Sequence, residues 1–431
     1  MKFKQETDFQ DTEIGKIPRE WKIERLGHIV KYVKGKKPSA LFDERPSEEY
    51  VPYLTAEYMR GLDKPKWCNP KLENNIIEVF HDDVIMIWDG SAGHVFTGFN
   101  GILASTMVKI IPVVKLDKKF LYYYLLANFE EFRSTTVGTG VPHVNKKVFE
   151  EFPTPVPPIH EQRGIAGILS TVDRVIEVVD AGVARLEGLK KALMRELLTG
   201  RIRVREENGK LIFNKETDFQ DTEIGKIPRE WGLAKLEEMA KIITGPFGSQ
   251  LKKSELTNHG IKVYTQENVL ERNFEIGNLY ISEEKFKGLK NFEVIPDDVL
   301  LTIRGTIGKS IKVPTGITKG IIHTNLAIIR LEKKEVLPDF VELVFNESEI
   351  LMEQVRRIHT ATTLPALYGR TLKQIKIMLP PLNEQKVVIG ISSIIDRAIG
   401  LYRGERVSLE RLKRGLMNLL LTGRVRVVRE D

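Results

Sequence analysis

The chain has 431 residues, 42% of them hydrophobic and 29% charged, which as a prior allows about two to four domains with buried cores. Its single cysteine, Cys68, excludes an internal disulfide and a zinc site built from cysteines. The first residues, MKFKQETDFQ, lack an apolar signal-peptide core, and no stretch approaches the roughly 18 apolar residues of a membrane span, so we predict a cytoplasmic protein. A formal charge of +7 favours a polyanion partner, although many ordinary proteins are mildly basic.

The sequence contains one module twice. Residues 6–21 read ETDFQDTEIGKIPREW, and the same sixteen letters return at 216–231, an offset of 210 (216 − 6). Later segments recur at larger offsets, up to 223 (380 − 157), as small insertions in surface loops would produce. These recurring segments are DDVIM (82–86) with DDVLL (297–301), PPIHEQ (157–162) with PPLNEQ (380–385), and LLTGRIRV (197–204) with LLTGRVRV (420–427). Each module therefore joins nearly constant ends to a diverged middle.

The junction between the modules resembles the two ends of the chain. Residues 200–219 read GRIRVREENGKLIFNKETDF, while the chain ends GRVRVVRED and begins MKFKQETDF. The last and first residues together approximate the internal junction. We therefore predict that the termini lie close together and that the modules are related by a two-fold pseudosymmetry.

A heptad pattern predicts a long helix over 161–199, about 58 Å long at ~1.5 Å per residue and ended by Gly200. The second module repeats this pattern less regularly. The apolar positions are Ile165, Leu169, Val172, Ile176, Val179, Val183, Leu186, Leu193 and Leu197 in the first helix, and Val388, Ile395, Ile399, Tyr402, Leu409, Leu416 and Leu420 in the second. Polar residues interrupt it at Lys190, Ser392, Arg406 and Lys413. The two helices could pack antiparallel against each other, or each could pack on its own domain.

The diverged middles predict short strands at 82–88, 107–113, 297–303 and 325–331, with helices at 118–132 and 338–357. Glycine-rich turns follow several of the strands. The predicted fold class is α+β, with two pseudo-symmetric mixed α/β domains joined by two long antiparallel coiled-coil helices.

The chain carries, in order, IPREW, the GKKPS turn, the DDV strand with its G(S/T)xG turn, the VPHVN loop, PPIHEQ, the long helix and LLTGR. With these motifs the sequence resembles the specificity subunit of a type I restriction-modification system. Both modules carry this series in order, although LPALY replaces VPHVN in the second, where Ala366 aligns with His143. The series covers nearly the whole chain.

The resemblance implies target-recognition domains at 1–155 and 211–378, each reading half of a bipartite DNA site. It implies constant helix regions at 156–210 and 379–431, which act as a ruler. The subunit itself would not be an enzyme. Its implied partners are double-stranded DNA, two modification subunits that bring S-adenosylmethionine, and motor-nuclease subunits that use ATP and magnesium.

The sequence contains no convincing active-site motif. An amino-methyltransferase needs an Asn/Asp-Pro-Pro-aromatic motif, and CNPK at 68–71 does not supply it. RGTIGKS at 304–310 is too short for a phosphate-binding P-loop. The acidic pairs in HDD (81–83) and PDD (296–298) could be forced into a nuclease site, but module one lacks the lysine element. The eight histidines show no metal-ligand spacing.

Lysines and arginines in loops are candidates for phosphate contacts, and polar side chains near the turns are candidates for base contacts. Any single lysine could equally be an ordinary solvated charge, and His143 could serve a packing or capping role. The predicted DNA-binding residues are Lys34, Lys36, Lys37, Ser91, Thr139, His143, Asn145 and Lys146 in module one, and Gln250, Lys252, Lys253, Arg304, Thr306, Lys309 and Thr362 in module two.

Two target-recognition domains with different sequences predict an asymmetric, bipartite DNA site. If both approach one face of the duplex, the half-site centres lie about one turn apart, roughly 34 Å. Two alternatives remain open: a tandem DNA-binding regulatory or anti-restriction protein, and a protein-interaction scaffold with a two-helix spacer.

Overall fold

The computed structural model describes residues 2–136, 142–359, 367 and 369–428. The chain divides into two compact units. Unit 1 comprises Met1–Ala181 and Arg403–Asp431, and unit 2 comprises Gly182–Tyr402. These boundaries cut through both long helices, so each helix contributes residues to both units.

Most of the strands are short, with two to six residues each. Within the described residues they are β1 Lys2–Gln5, β2 Phe9–Thr12, β3 Gly15–Pro18, β4 Lys22–Arg25, β5 Val30–Lys34, β6 Val51–Leu54, β7 Lys66–Cys68, β8 Glu78–Val79, β9 Val84–Ile87, β10 Val95–Phe96, β11 Gly101–Leu103, β12 Met107–Pro112, β13 Pro153–Val156, β14 Ile202–Glu207, β15 Lys210–Lys215, β16 Phe219–Thr222, β17 Gly225–Pro228, β18 Gly232–Lys235, β19 Ala240–Thr244, β20 Ile261–Tyr264, β21 Tyr280–Ile281, β22 Val299–Thr302, β23 Ser310–Lys312, β24 Gly320–Ile322, β25 Leu326–Leu331, β26 Lys376–Leu379 and β27 Val425–Val428.

Two helices are much longer than the others, at 39 residues each. The helices of the described residues are α1 Leu26–Ile29, α2 Ala56–Met59, α3 Lys118–Ala127, α4 Phe129–Ser134, α5 Lys146–Glu151, α6 Ile159–Leu197, α7 Leu236–Met239, α8 Gln266–Leu270, α9 Glu283–Gly288, α10 Pro338–Glu347, α11 Glu349–His359, α12 Gly369–Lys373 and α13 Leu382–Leu420, with 3₁₀ turns at Pro70–Leu72, Lys253–Glu255 and Lys290–Phe292.

The two units contain matching sheets. Unit 1 has an antiparallel sheet in the order β5–β12–β9–β10 and a mixed sheet in the order β7–β6–β11–β8, where β6 and β11 are parallel. Unit 2 has the antiparallel order β19–β25–β22–β23 and a mixed three-stranded sheet β21–β20–β24, where β20 and β24 are parallel. The mixed helix and strand content predicted from the sequence is therefore confirmed.

The strand that follows each acidic pair is buried on both faces. In β9, Val84 and Met86 pack into the core with the helices, while Ile85 and Ile87 pack into the core of the second sheet. Successive side chains of a strand point to opposite faces, so a strand between two apolar layers needs an unbroken apolar run. This requirement explains the VIMI and VLLT sequences, and β22 is buried throughout in the same way.

The second aspartate of each acidic pair stabilises this layer. Asp83 forms ion pairs with Lys109 at 2.5 Å and with Lys118 at 2.8 Å. Asp298 is 1% exposed and binds Arg330 through two contacts of 2.8 Å each. Both carboxylates are thus neutralised by structural partners, which argues against the nuclease interpretation of these motifs.

The predicted helix over 161–199 is observed at Ile159–Leu197, and Gly200 follows it with a φ of +68°. Within each unit, segments of the two long helices run antiparallel. In unit 1, Asp173 pairs with Lys413 and Asp180 pairs with Arg406, both at 2.6 Å, so residue numbers rise along one segment as they fall along the other.

Two of the polar interruptions of the heptad pattern occupy equivalent positions. Lys190 binds Asp396 at 2.8 Å in unit 2, and Lys413 binds Asp173 at 2.6 Å in unit 1; both residues of one pair are offset by 223 from those of the other (413 − 190 and 396 − 173). Both lysines are mostly buried along the helix segments. An ion pair therefore replaces an apolar contact at the same place in each helix segment.

The ends of the chain pair as predicted. Strand β1 is antiparallel to β27, with Lys2 opposite Val428 and Gln5 opposite Val425. The internal junction forms the corresponding hairpin, β14–β15, with Ile202 opposite Lys215. The termini of unit 1 therefore reproduce, across a break in the chain, the hairpin that is continuous in unit 2.

Candidate nucleic-acid interface

Each unit has a glycine turn at the end of its doubly buried strand. In unit 1 this turn follows β9 and contains Gly90 and Gly93, with φ of +88° and +92°. In unit 2 it follows β22 and contains Gly305 and Gly308, with φ of +71° and +83°. These φ values strain any residue with a Cβ, which explains the G(S/T)xG spacing in both modules. We call residues 88–93 turn 1 and residues 303–308 turn 2.

The loop that contains VPHVN lies against turn 1. The Val144 amide donates to the Trp88 carbonyl at 2.9 Å, and the Gly90 amide donates to the Pro142 carbonyl at 2.8 Å. His143 lies opposite Asp89 in a β-bridge. In unit 2, the Leu367 amide donates to the Ile303 carbonyl at 2.8 Å. Two distant parts of each module therefore meet at each turn.

The loop that follows β5 in unit 1 and β19 in unit 2 also approaches the turn. It can do so because its first residue is a glycine, Gly35 or Gly245. A Cβ on Gly35 would lie 2.2 Å from the Ala104 carbonyl oxygen, and a Cβ on Gly245 would lie 2.2 Å from that of His323. Only glycine permits so close an approach of two backbones. The lysine before Gly35, Lys34, pairs with Asp89 of turn 1 at 2.7 Å.

The structure brings together some of the predicted DNA-binding residues of unit 1. Lys34, Ser91 and His143 all lie at turn 1, and the side chains of Lys36 and Lys37 are exposed on the adjoining loop. The Asn145 side chain instead accepts from the Lys147 and Val148 amides and caps α5.

Because its oxygen is engaged in this cap, Asn145 is a poorer base-contact candidate than the sequence suggested. Lys146 is exposed and lies 3.6 Å from Glu150 on the same helix. Thr139 lies outside the described residues.

In unit 2, Arg304 and Thr306 form turn 2 itself, and the exposed Lys309 follows it. Gln250, Lys252 and Lys253 are exposed on the loop after β19, where the Gln250 side chain accepts from the Phe247 amide at 3.0 Å. Thr362 lies outside the described residues. The roles of these residues in DNA contact stay predictions.

Two residues at the turns were not singled out by sequence. Arg60 follows α2, and its Nη1 donates to Ser91 Oγ at 3.3 Å. Gln266 opens α8 and clamps turn 2. In the amide orientation that satisfies both backbone groups, its nitrogen donates to the Arg304 carbonyl at 2.7 Å and its oxygen accepts from the Thr306 amide at 3.1 Å. The signal in the sequence was the threonine that caps each helix, Thr55 and Thr265, since equivalent caps imply equivalent helices.

Each turn also lies beside a histidine with a lowered pKa. Burial lowers the pKa of His94; the Arg60 and Arg133 guanidinium groups lower it further, although a hydrogen bond to the Ser91 carbonyl opposes them. Burial lowers the pKa of His323, and Arg304 adds to this effect. Both shifts favour the neutral form of the imidazole.

The repeated segment of residues 6–21 folds around the start of a long helix. The buried Trp21 donates from Nε1 to Glu161 Oε2 at 3.1 Å. Glu161, 1% exposed on its side chain, also accepts from Arg426 Nε at 2.6 Å and Nη2 at 2.8 Å. Arg426 further pairs with Glu6 at 2.7 Å and Glu20 at 2.9 Å. We call this group of five residues the unit 1 anchor.

The second copy builds the same arrangement, the unit 2 anchor. Trp231 donates to Glu384 Oε2 at 3.1 Å, and Arg203 binds Glu384, Glu216 and Glu230 at 2.9, 2.8 and 3.1 Å. Each anchor combines one copy of the repeated segment, the first turn of one long helix and the strand after the other. The sixteen identical letters are therefore explained in part by one buried ion network that is formed twice.

Among the described residues, no helix is long and apolar enough to cross a membrane. The same part of the chain contains no group of three or more His, Cys, Asp or Glu side chains placed to hold a metal ion.

Comparison with known proteins agrees with this architecture. The family model for the type I restriction modification DNA specificity domain matches residues 18–186 and again residues 228–411. Together these matches cover well over half of the chain. The chain belongs to the family of type I restriction-modification specificity subunits.

Full-length relatives support the family assignment. The MjaVIII type I restriction enzyme specificity subunit of Methanocaldococcus jannaschii is 34% identical over 435 residues, which cover 99% of this chain and 98% of the relative. The EcoBI specificity subunit of Escherichia coli is 22% identical over 325 residues, 72% of this chain and 66% of the relative. Like these proteins, the chain is a specificity subunit, and its role is DNA target recognition.

Solved structures of the family share the fold. The type I S subunit from M. genitalium superposes with a TM-score of 0.56 at 16% identity, covering 93% of this chain and 96% of that one. A structure from a study of complex assembly and conformational transition of the type I R-M system gives a TM-score of 0.55 at 16% identity, covering 94% and 98%. At these identities the likeness extends to the fold.

Proposed function

We propose that unit 1 and unit 2 each read one half of an asymmetric bipartite DNA site. Support comes from the contrast between the anchors and the turns. The anchors repeat residue for residue, whereas at the turns Asp89 stands where Arg304 stands, and Lys34 where Thr244 stands. Identical anchors suit an identical partner, and different turns suit different base sequences.

The long helices carry a surface suited to that partner. Val178 and Leu401, offset by 223 (401 − 178), are 69% and 71% exposed. Leu189 and Leu412, at the same offset (412 − 189), are 49% and 51% exposed. Large aliphatic side chains so exposed favour a protein interface. Since each unit presents one member of each pair, the proposed partner binds twice: two modification subunits, one on each unit.

The proposed cofactors belong to those partners. S-adenosylmethionine would be bound by the modification subunits, and ATP with magnesium by motor-nuclease subunits. In this assignment the chain supplies recognition and the two helices fix the distance between half-sites, as an antiparallel coiled coil would.

Docking can be tested by the stoichiometry of complexes purified with the candidate modification subunit. We expect Val178→Asp with Leu412→Asp to remove the partner of unit 1, and Leu401→Asp with Leu189→Asp to remove that of unit 2. Either pair should reduce the ratio from two to one, and all four changes should abolish assembly. Lys36→Ala with Lys37→Ala is the comparison: it should weaken DNA binding and leave the ratio at two. A ratio that stays at two in every variant would reject the docking surface.

Recognition can be tested by mapping methylated adenine in DNA from cells that express the modification subunit with and without this chain. A bipartite, asymmetric motif that requires the chain supports the proposal. Insertion of one heptad into each long helix, next to Gly188 and its equivalent Arg411, should lengthen the gap and leave both half-sites unchanged. Altered half-sites would contradict the ruler role.

A further inference from the structure

Each glycine turn lies beside a partially buried arginine that has no carboxylate partner among the described residues. Within the described residues each unit has three half-buried arginines, Arg25, Arg60 and Arg406 in unit 1 and Arg203, Arg304 and Arg330 in unit 2. Four of them bind carboxylates: Arg25 with Glu13 at 3.0 Å, Arg406 with Asp180 at 2.6 Å, Arg203 with Glu384 at 2.9 Å and Arg330 with Asp298 at 2.8 Å. The other two, Arg60 and Arg304, have no carboxylate partner in the described part of the chain, and both lie at the glycine turns.

The two arginines do not occupy equivalent positions in the two modules, so they were not both inherited from one ancestral module. Arg60 aligns with Leu270, and Arg304 aligns with Asp89. The two modules have thus placed an arginine at the same turn from different sequence positions. A guanidinium that loses solvent without gaining a carboxylate is unfavourable unless something else compensates it. The recurrence of this arrangement at both turns indicates a ligand that supplies hydrogen-bond acceptors.

Arg60 shows the shortage of acceptors directly. Its Nη1 donates to Ser91 Oγ at 3.3 Å, while its buried Nη2 has no hydrogen-bond partner; it is the one such side-chain atom in the part of the chain that the structure describes. A buried donor without an acceptor is rare and calls for an explanation. Because Nη2 is closed to solvent in this conformation, a bound molecule would supply the acceptor once the Arg60 side chain turns outward from Ser91.

Arg304 is held differently. Its backbone is clamped by Gln266, which binds the Arg304 carbonyl and the Thr306 amide together, and Gly305 and Gly308 fix the turn around it. The side chain makes no hydrogen bond or ion pair with any described residue. Arg304 is the one charged residue of turn 2, residues 303–308, and the pKa of the neighbouring His323 is lowered by burial and by Arg304. A fixed backbone with an uncommitted fork of donors suits recognition that needs fixed geometry.

We propose that Arg60 and Arg304 each bind the edge of a guanine, one in each half-site, and that Gln266 is the positioning residue for Arg304. Guanine presents two acceptors, O6 and N7, on its major-groove edge, and the arginine fork matches both. This inference rests on the proposed division of the DNA site between the two units. It adds the base class and the residue that reads it in each half.

The test is the methylation map of cells that express single variants with the candidate modification subunit. Arg304→Ala should relax one guanine position of one half-site by about 5- to 150-fold, the discrimination of one bidentate pair. Arg60→Ala should do the same in the other half-site. Each variant is thereby the reference for the other, because the half-site read by the unaltered unit must not change.

Three further variants complete the design. Arg304→Lys keeps the charge without the fork, so it should relax the same position, and it decides the matter if the alanine variant does not fold. Gln266→Ala should relax that position less than Arg304→Ala does, and no other position. Arg205→Ala removes an exposed arginine that pairs with Glu207 and should leave the motif unchanged.

Two results would overturn the inference. One is an unchanged motif in Arg60→Ala and in both Arg304 variants. The other is weaker methylation of every site without relaxation at any position, together with a salt dependence of DNA binding reduced by about one unit of slope, which is the mark of a phosphate contact. If the unaltered chain produced no bipartite motif, the proposed function itself would fail before any variant was compared.

Discussion

Replacement of Glu161 by alanine tests whether the unit 1 anchor stabilises the unit. The carboxylate is buried and accepts four hydrogen bonds, two from Arg426 and one each from the Trp21 side chain and the Val427 amide. Removing one member of a buried ion pair costs about 3–5 kcal/mol, mostly because the other charge is left unpaired. Here Arg426 keeps Glu6 and Glu20, so we expect the lower end, about 3 kcal/mol.

Hydrogen exchange read by mass spectrometry measures this loss within one unit. A cost of about 3 kcal/mol corresponds to a roughly 150-fold increase in opening of the affected segments. We expect faster exchange in residues 6–21 and in β27, and unchanged exchange in residues 216–231. Since those two segments are identical, the peptides must extend into their different flanks, to Phe3 or Lys22 in the first copy.

Two variants serve as references. Glu384→Ala should give the mirror result, with faster exchange in residues 216–231 and in β14 alone. Glu20→Ala removes a carboxylate that is 74% exposed, and we expect a change below about 1 kcal/mol. If Glu161→Ala exchanged no faster than Glu20→Ala, the buried network would not be what holds the repeated segment to the helix.

Three further predictions concern unit 1. Hydrogen bonds from backbone amides, with Arg426, hold the pKa of Glu6 at about 2, below its ordinary 4.5. The stabilisation from Glu6 is therefore complete above pH 4.5 and is lost as the pH falls towards 2. In Glu6→Gln, the free energy of unfolding should depend less on pH in that window. Gly35→Ala would put a Cβ 2.2 Å from a carbonyl oxygen and should cost about 1–3 kcal/mol or more in thermal unfolding, while Gly167→Ala on the helix, with nothing within 4 Å, should be neutral or stabilising. Tyr123→Phe removes a 2.6 Å hydrogen bond to a helix carboxylate and should cost about 1.5–3 kcal/mol in urea unfolding, more than Tyr122→Phe; equal losses would contradict this role.

The two-module organisation was predictable from sequence, because repetition is visible wherever a residue has a fixed structural duty. The left-handed φ of Gly90 and Gly305 restricts those positions, and burial on both faces restricts β9 and β22 to apolar residues. The long helices were predictable for a related reason, since a seven-residue period requires no knowledge of the partner. The domain boundaries implied by the resemblance keep each helix whole, whereas the compact units divide both helices near residues 181 and 402.

The role of individual polar side chains depended on tertiary structure. The sequence motifs singled out Asn145, which caps a helix, and omitted Arg60 and Gln266, which reach the turns from separate elements. The sequence shows that a side chain is charged, but it does not show which groups surround that charge. Whether it is solvated, paired or left without an acceptor depends on groups that are distant along the chain, such as Glu161 and Arg426, 265 positions apart. The sequence by itself therefore determined the repeated architecture, while folding decided which charges neutralise one another and which are left without a carboxylate partner among the described residues.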